Sequence, residues 1–318
     1  MKTIHEIGTR RKKSIGLLLF LFVLCLNANA QFDPLFTQYM NNEMFVNPAY
    51  TGTRKVLATT LLYRNQWVGI KGAPITQTFS IHSPIGDHNG IGLSMMNESI
   101  GITHQFRVNG CYAYRIRTGD YSLLSFGLSG SLVNLRENYQ DLELYSQNDH
   151  VFNISKPSII APNAGYGMFF YTNKMYVGLS IPRMIKNSIA ETGKSSVKNS
   201  ANPKDWHYFL TSAYIFTPSR DVMIKPSIMI REVYGAPLQA ELAFHTLFNK
   251  VWWIGASYRT GDAITAITGF QIKPEFRFFY SYDYSLTKIQ AYSSGSHEIT
   301  ISYDFAFKRK RIASPRLF

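Results

Sequence analysis

From residue 56 onward apolar and polar positions alternate with a period of two. Gln105 to Arg117 sets Phe106, Val108, Gly110, Tyr112, Tyr114 and Ile116 against Gln105, Arg107, Asn109, Cys111, Ala113, Arg115 and Arg117. Successive side chains of a strand point to opposite faces, so this is one apolar and one polar face. The split recurs in Val222, Ile224, Ile228 and Ile230 against Lys225, Ser227 and Arg231. It recurs again in Leu238, Ala240, Leu242 and Phe244 against Gln239, Glu241 and His245. Near the end of the chain, Phe276, Phe278, Tyr280, Tyr282 and Tyr284 oppose Glu275, Arg277, Ser281 and Asp283. Ile299, Ile301, Tyr303, Phe305 and Phe307 then oppose Glu298, Thr300, Ser302 and Asp304. Helical periodicity is scarce.

Soluble sandwiches alternate too, but with strands of about 5–6 residues. Here the runs reach about 9–11 residues or more, the length a tilted membrane strand needs. Their apolar faces carry large aromatics near the strand ends, as in the interfacial girdles of outer-membrane barrels, and the opposite faces suit a wet lumen. The pattern predicts an all-β transmembrane outer-membrane β-barrel of about 14 antiparallel strands. They lie near 56–67, 76–83, 90–98, 104–117, 121–136, 162–172, 175–182, 206–217, 222–232, 238–247, 250–260, 264–273, 275–285 and 296–307. The connections agree with that count. Short turns such as Thr118-Gly119-Asp120, Asn173-Lys174 and Phe248-Asn249 follow even-numbered strands, whereas the long connections 137–161, 183–205 and 286–295 follow odd-numbered ones. A barrel with both termini in the periplasm has this parity.

The amino terminus reads as an export signal. Arg10-Arg11-Lys12-Lys13 precedes an apolar run from Ile15 to Leu26, and Ala28-Asn29-Ala30 forms a small-x-small cleavage site before Gln31. That run falls short of the ~20 residues a spanning helix needs. Cys25 is no lipoprotein cysteine, because Leu24 precedes it where a small residue is required. Removing residues 1–30 lowers the net charge from +13 to +9 and leaves Cys111 as the one cysteine, which excludes an intramolecular disulfide. Charged residues make up 17% of the chain, below the roughly 25% of soluble domains, while aromatics reach 14%, so the chain is apolar enough to be ordered.

Catalytic chemistry has no visible place. There is no Walker loop, G-x-S-x-G elbow or H-E-x-x-H, and Gly127-Leu128-Ser129-Gly130 only approaches the elbow. The histidines are scattered, without the i, i+4 spacing of a zinc helix. Lumen carboxylates such as Glu241, Asp283, Glu298 and Asp304 are expected to pair with Arg277, Arg259, Lys225 or Arg231 and not to form a hydrolase site. Cys111 is expected to face the lumen in a structural role. We therefore expect a non-enzymatic protein with no catalytic residues, no cofactor and no metal.

The two ends of the mature chain hold the remaining information. Residues 31–55 are aromatic but not strand-like, and Phe36, Tyr39 and Phe45 are expected to be buried at the periplasmic mouth. Tyr39 to Met44 would form one or two helical turns that Asn47-Pro48 ends. The other end, Lys308-Arg309-Lys310-Arg311 with Arg316, forms a basic tail.

In this region the chain resembles a known family. Asp33-Pro34-x-Phe36-x-Gln38-Tyr39-Met40 and Asn47-Pro48-Ala49-Tyr50-x-Gly52 are similar to the start of mature PorP/SprF proteins, outer-membrane components of the Bacteroidetes type IX secretion system. The resemblance continues in Tyr63-Arg64-x-Gln66-Trp67-Val68-Gly69, Gly72-Ala73-Pro74, His82-x-Pro84, Tyr292 to Ser296, His297-Glu298-Ile299 and Ser314-Pro315-Arg316-Leu317-Phe318. It implies a barrel that assists export or surface attachment of a large cell-surface protein, such as a gliding adhesin, or anchors periplasmic machinery. The implied partners are other secretion components, an exported surface protein and outer-membrane lipid. Nucleic acid is excluded by location despite the basic pI of 9.6. A transporter of hydrophobic small molecules similar to FadL channels is the alternative, since those also have fourteen strands, a hatch and an Asn-Pro-Ala motif. The expected organisation is a signal peptide at 1–30, a plug-like segment at 31–55, the barrel at 56–307 and the tail at 308–318.

Overall fold

The structure, a computed structural model, describes residues 36–138, 158–189 and 197–305. Fourteen strands close into an antiparallel barrel. They are β1 (Leu57–Asn65), β2 (Ile75–Ile85), β3 (Asn89–Ile100), β4 (Thr103–Gly119), β5 (Ser122–Glu137), β6 (Ile159–Tyr171) and β7 (Met175–Ile181), then β10 (His207–Tyr214), β11 (Val222–Val233), β12 (Gln239–Phe248), β13 (Trp252–Arg259), β14 (Ala263–Lys273), β15 (Phe276–Ser285) and β16 (Ser296–Phe305). Neighbours in sequence are neighbours in the wall, and β1 closes on β16 with Leu57 opposite Phe305 and Asn65 opposite His297. Between β7 and β10 the chain adds a small hairpin, β8 (Lys186–Ile189) and β9 (Val197–Ser200), which stays outside the barrel. The fourteen wall strands match the number expected, and the hairpin within 183–205 is new.

Alternation sorts the wall as lipid and lumen require. Leu61, Tyr112, Ile116, Leu242, Phe244, Ile301 and Phe305 point outward and are exposed, while Arg64, Arg259, Ser281, Asp283, Glu298 and Thr300 point inward and are buried. An exposed apolar outside and a charged inside reverse the order of a soluble core, as expected for a barrel in lipid. One end of the barrel carries short connections such as 86–88, 120–121, 172–174 and 249–251. The other end carries the long ones, 138–158, 182–206 and 286–295. We call these ends the turn face and the loop face.

Much of the inner wall meets protein, although Arg107, Asn109, Ser129 and Ser131 on β4 and β5 stay half-buried. Residues 36–54 run inside the barrel and, with Asn41 and Phe45 half-buried, are otherwise buried throughout. They form three single 3-10 turns, Tyr39–Asn41, Glu43–Phe45 and Pro48–Tyr50. The turns expected over Tyr39 to Met44 stop before Asn47, which is extended, and Asn47-Pro48 then opens a third turn that the sequence reading did not include. The Ala49 N–H donates to Asn47 Oδ1 at 2.9 Å, and proline stands at the first position, where no N–H is needed. Depth is a correction. The segment does not stop at the turn-face mouth but runs up the lumen, so that Phe36 packs with Leu62 and Met96 in the loop-face half of β1 and β3.

A register test follows. In a Cys111→Ser background, Leu61→Cys should react with a lipid-phase thiol probe, because Leu61 is 53% exposed on the outer face. Its neighbour Thr60 lies beneath the internal segment, 3.4 Å from the Asn41 carbonyl oxygen and 3.2 Å from the Ser302 hydroxyl. Thr60→Cys should resist aqueous reagents until the barrel is denatured. Aqueous labelling at both positions in the folded barrel would exclude this register.

Candidate functional site

The internal segment, hereafter the plug, is held at three levels. The highest is beneath the loop face. Glu298 accepts the backbone N–H groups of Thr37 at 3.0 Å and Gln38 at 2.7 Å, one on each carboxylate oxygen. Arg64 donates to Glu298 at 3.0 Å, to Asp283 at 2.8 Å and to the Thr37 hydroxyl at 2.8 Å. The Thr37 hydroxyl in turn donates to Asp283, and the Gln38 amide reaches Ser281 Oγ at 3.0 Å. Arg259 completes the group, paired with Glu241 at 2.9 Å and Asp262 at 2.9 Å. Charges this deeply buried persist only when paired and hydrogen-bonded.

The middle level is a cradle of small residues. Asn42 exchanges hydrogen bonds with Thr78 and Ser80, and Ser180 donates to the Val46 carbonyl at 2.7 Å. The Asn47 amide donates to the Met168 carbonyl at 2.9 Å. Here the plug backbone lies directly on the wall. A Cβ on Gly127 would collide with the backbone of Pro48 and Ala49, and one on Gly167 with the Asn47 side chain. Beside them Tyr50 packs edge-on to Phe169, in a cluster with Met44, Ala49 and Cys111. Tyr39 and Met40 pack with Val46, Phe209 and Met229.

The lowest level is at the turn face. The Gly52 N–H donates to His82 Nδ1 at 3.1 Å, and Arg115 donates to the Gly52 and Asn89 carbonyls. Arg54 pairs with Asp304 at 2.6 Å, and Arg277 joins that carboxylate at 3.2 Å. Gly52 has φ +74° and lies against Gly90, so both the conformation and the contact favour glycine.

Cavities beside the plug include two of about 40 and about 20 Å³ on its loop-face side. Phe36, Phe45, Met96, Arg107, Phe209 and Met229 contribute to the lining of the larger one. Each cavity has room for only a few waters. Among the described residues no group of three or more His, Cys, Asp or Glu side chains is arranged to hold a metal.

These contacts gather most of the residues singled out in the sequence. Gln38, Arg64 and Glu298 meet at the top, Asn47, Pro48 and Ala49 in the cradle, and Gly52 with His82 at the bottom. Gln66 and Trp67 stand apart on the loop-face rim, where Trp67 N–H donates to Ser296 Oγ at 3.1 Å and Val68 N–H to the Gly295 carbonyl at 2.9 Å. Asp33, Pro34, Lys308, Arg309, Lys310, Arg311 and Arg316 lie outside the described residues. Two features escaped the sequence reading: Arg64 as the partner of both Asp283 and Glu298, and the glycines of the cradle. The only available signal for the latter was Gly127 and Gly167 falling on the inward parity of their strands.

A plug tied to β1, β15 and β16 through residues from both ends of the chain agrees with what sequence comparison finds. The sequence model described as "Type IX secretion system membrane protein PorP/SprF" matches residues 28–303. The chain belongs to the PorP/SprF family. Its sequence resemblance at the two ends thus extends across most of the chain, and the protein is an outer-membrane barrel of the type IX secretion system. No curated protein matches this PorP/SprF chain. Among solved structures, the monoaromatic hydrocarbon channel CymD shares 11% identity at a TM-score of 0.51, covering 89% of this chain and 95% of its own. A Pseudomonas aeruginosa FadL homologue shares 12% at 0.45, covering 88% and 96%, and Acinetobacter baumannii Omp33 shares 8% at 0.45, covering 79% and 100%. At 11% identity the CymD likeness is one of fold.

Proposed function

We propose that this barrel serves the secretion system by contact at its two faces and not as a conduit. It assists export or surface attachment of large cell-surface proteins such as gliding adhesins, or anchors periplasmic secretion machinery to the outer membrane. The plug inside the lumen carries this reading. Residues 36–54 occupy the lumen and are buried along nearly their whole length, which argues against a polypeptide passing beside them. The same observation argues against a FadL-like transporter, since sites for small molecules usually measure about 300–1,000 Å³. It likewise supports a non-catalytic role, with protein partners in place of a substrate.

The connections support an orientation. Short turns face the periplasm in outer-membrane barrels and long loops face outward. β16 ends at the turn face, so the basic sequence beyond it, including Lys308 to Arg311 and Arg316, starts on the periplasmic side. The five positive charges of that sequence suit electrostatic contact with periplasmic secretion proteins or with anionic lipid.

Gene deletion tests the proposal. We expect growth on fatty acids to be unchanged and at least one large surface protein to be retained inside the cell or degraded. Normal surface-protein profiles with impaired uptake of hydrophobic compounds would favour the transporter instead.

A further inference from the structure

One strand leaves the wall early. β6 has 13 residues and β7 has 7, and their pairing ends where Tyr166 faces Ile181. The next residue is Pro182, which has no N–H to continue the ladder. From there the chain turns into the lumen across the inner face of β6. A Cβ on Gly165 would stand 2.7 Å from the Pro182 carbonyl oxygen and 2.5 Å from Ser129 Oγ, so a glycine is what admits the crossing. Pro182 lines both loop-face cavities and Arg183 the larger one, and Phe45 of the plug lines both. In the smaller cavity, Met44, Phe45 and Pro48 of the plug face Ser94, Asn109 and Ser129 on β3, β4 and β5.

The main tie of this crossing is one side chain. Asn163, buried on the inner face of β6, donates to the Ile185 carbonyl at 2.7 Å and accepts the N–H groups of Met184 at 3.0 Å and Ile185 at 3.2 Å. The Met184 N–H also reaches the Ala164 carbonyl at 2.9 Å, and the Met184 carbonyl accepts the Trp206 indole N–H at 2.8 Å. Residue 185 leads straight into the hairpin, where Lys186, the first residue of β8, pairs with Asp205 beyond β9 at 2.9 Å.

We infer that residues 182–185 are a lid over the crevice between the plug and the β3–β5 wall, latched by Asn163 and moved by the hairpin β8–β9. All four residues are half-buried, whereas the plug beneath them is nearly all buried. Segments held by few hydrogen bonds open at lower cost than paired strands, and here the latch is one amide group. Opening exposes Phe45 and the Ser129 side of the wall to the loop-face medium. It leaves the plug's own ties to Glu298 and Asp304 untouched. A contact made on the hairpin is thereby conveyed to the middle of the plug. The lid itself does not depend on the secretion role proposed above.

Thiol accessibility tests this in detergent, in a Cys111→Ser background with a bulky hydrophilic maleimide. Ser129→Cys lies beside the crossing and should react slowly while Asn163 is intact. Asn163→Ala should raise that rate by roughly tenfold or more, the scale of one or two net hydrogen bonds. Trp206→Phe loses the indole donor to Met184 and should raise it less. Thr60→Cys, beneath the plug, should stay unreactive in both. A Ser129→Cys rate unchanged by both substitutions would overturn the lid. So would Thr60→Cys accelerating in step with Ser129→Cys, because the crossing would then be part of the plug's seat. If Asn163→Ala loses the fast migration of a folded barrel, Asn163→Asp, which keeps the acceptor and loses the amide donor, is read by the same two outcomes.

Discussion

Arg64→Ala should free the amino-terminal end of the plug and leave the barrel closed. The Arg64 guanidinium lies between Asp283 at 2.8 Å and Glu298 at 3.0 Å, and its side chain is 2% exposed. Removing it leaves two neighbouring carboxylates buried without the cation that bridged them. Breaking a buried pair from one side typically costs about 3–5 kcal/mol. The barrel does not carry most of that loss, because the backbone ladder between β1 and β16 contains no side chain. The plug does, since Glu298 holds its Thr37 and Gln38 N–H groups only while that carboxylate is oriented. A shift of 3–5 kcal/mol changes the ratio of seated to released plug by roughly two to three and a half orders of magnitude. We expect the unheated variant to retain the fast electrophoretic migration of a folded barrel, while proteolysis within residues 36–54 becomes rapid in detergent. Glu298→Gln keeps an acceptor oxygen and the packing, leaves the Arg64–Asp283 pair intact, and should show a smaller effect. Protease resistance equal to wild type in Arg64→Ala would mean that this cluster does not hold the plug.

The faces of the strands were legible in the sequence because a strand's period is two and the solvent outside the barrel is lipid. Tyr112 against Cys111 and Ile301 against Thr300 needed no tertiary information. The hairpin β8–β9 was not legible, since Lys186–Ile189 and Val197–Ser200 are each too short to show a period. Partner choice was hidden for a different reason. Arg64 and Glu298 face each other only because closure puts the first strand beside the last, at a sequence separation of 234 residues. Aromatic content showed that residues 36–50 need burial, but burial at the mouth and burial along the lumen look the same in composition. The depth is set by where Glu298, Asp283 and Asp304 stand on the wall. Gly127 read as part of an incomplete nucleophile elbow. Its function is to be empty, and what fills the space is backbone from Pro48 and Ala49.

That emptiness makes Gly127→Val the sharpest test of whether the lumen is sealed by fit. Valine suits a strand, so the wall itself should accept it. The plug cannot, because the new Cβ would collide with the Pro48 and Ala49 backbone, which has no rotamer to change. Overpacking against side chains costs about 1–3 kcal/mol, and here the obstacle is backbone, held by the Asn47 amide on Met168 and by the Ser180 hydroxyl on Val46. The lower-energy response is for the plug to leave the cradle, which opens a fourteen-strand lumen to water. In planar bilayers the wild-type protein should be electrically silent, and Gly127→Val should conduct ions in steady open events. Gly130→Val is the matched control: same strand, same substitution, but a site where an added Cβ meets nothing within 4 Å. It should remain silent. Equal silence in Gly127→Val would show that the plug can shift within the lumen without unseating, and the cradle would then no longer count as the seal.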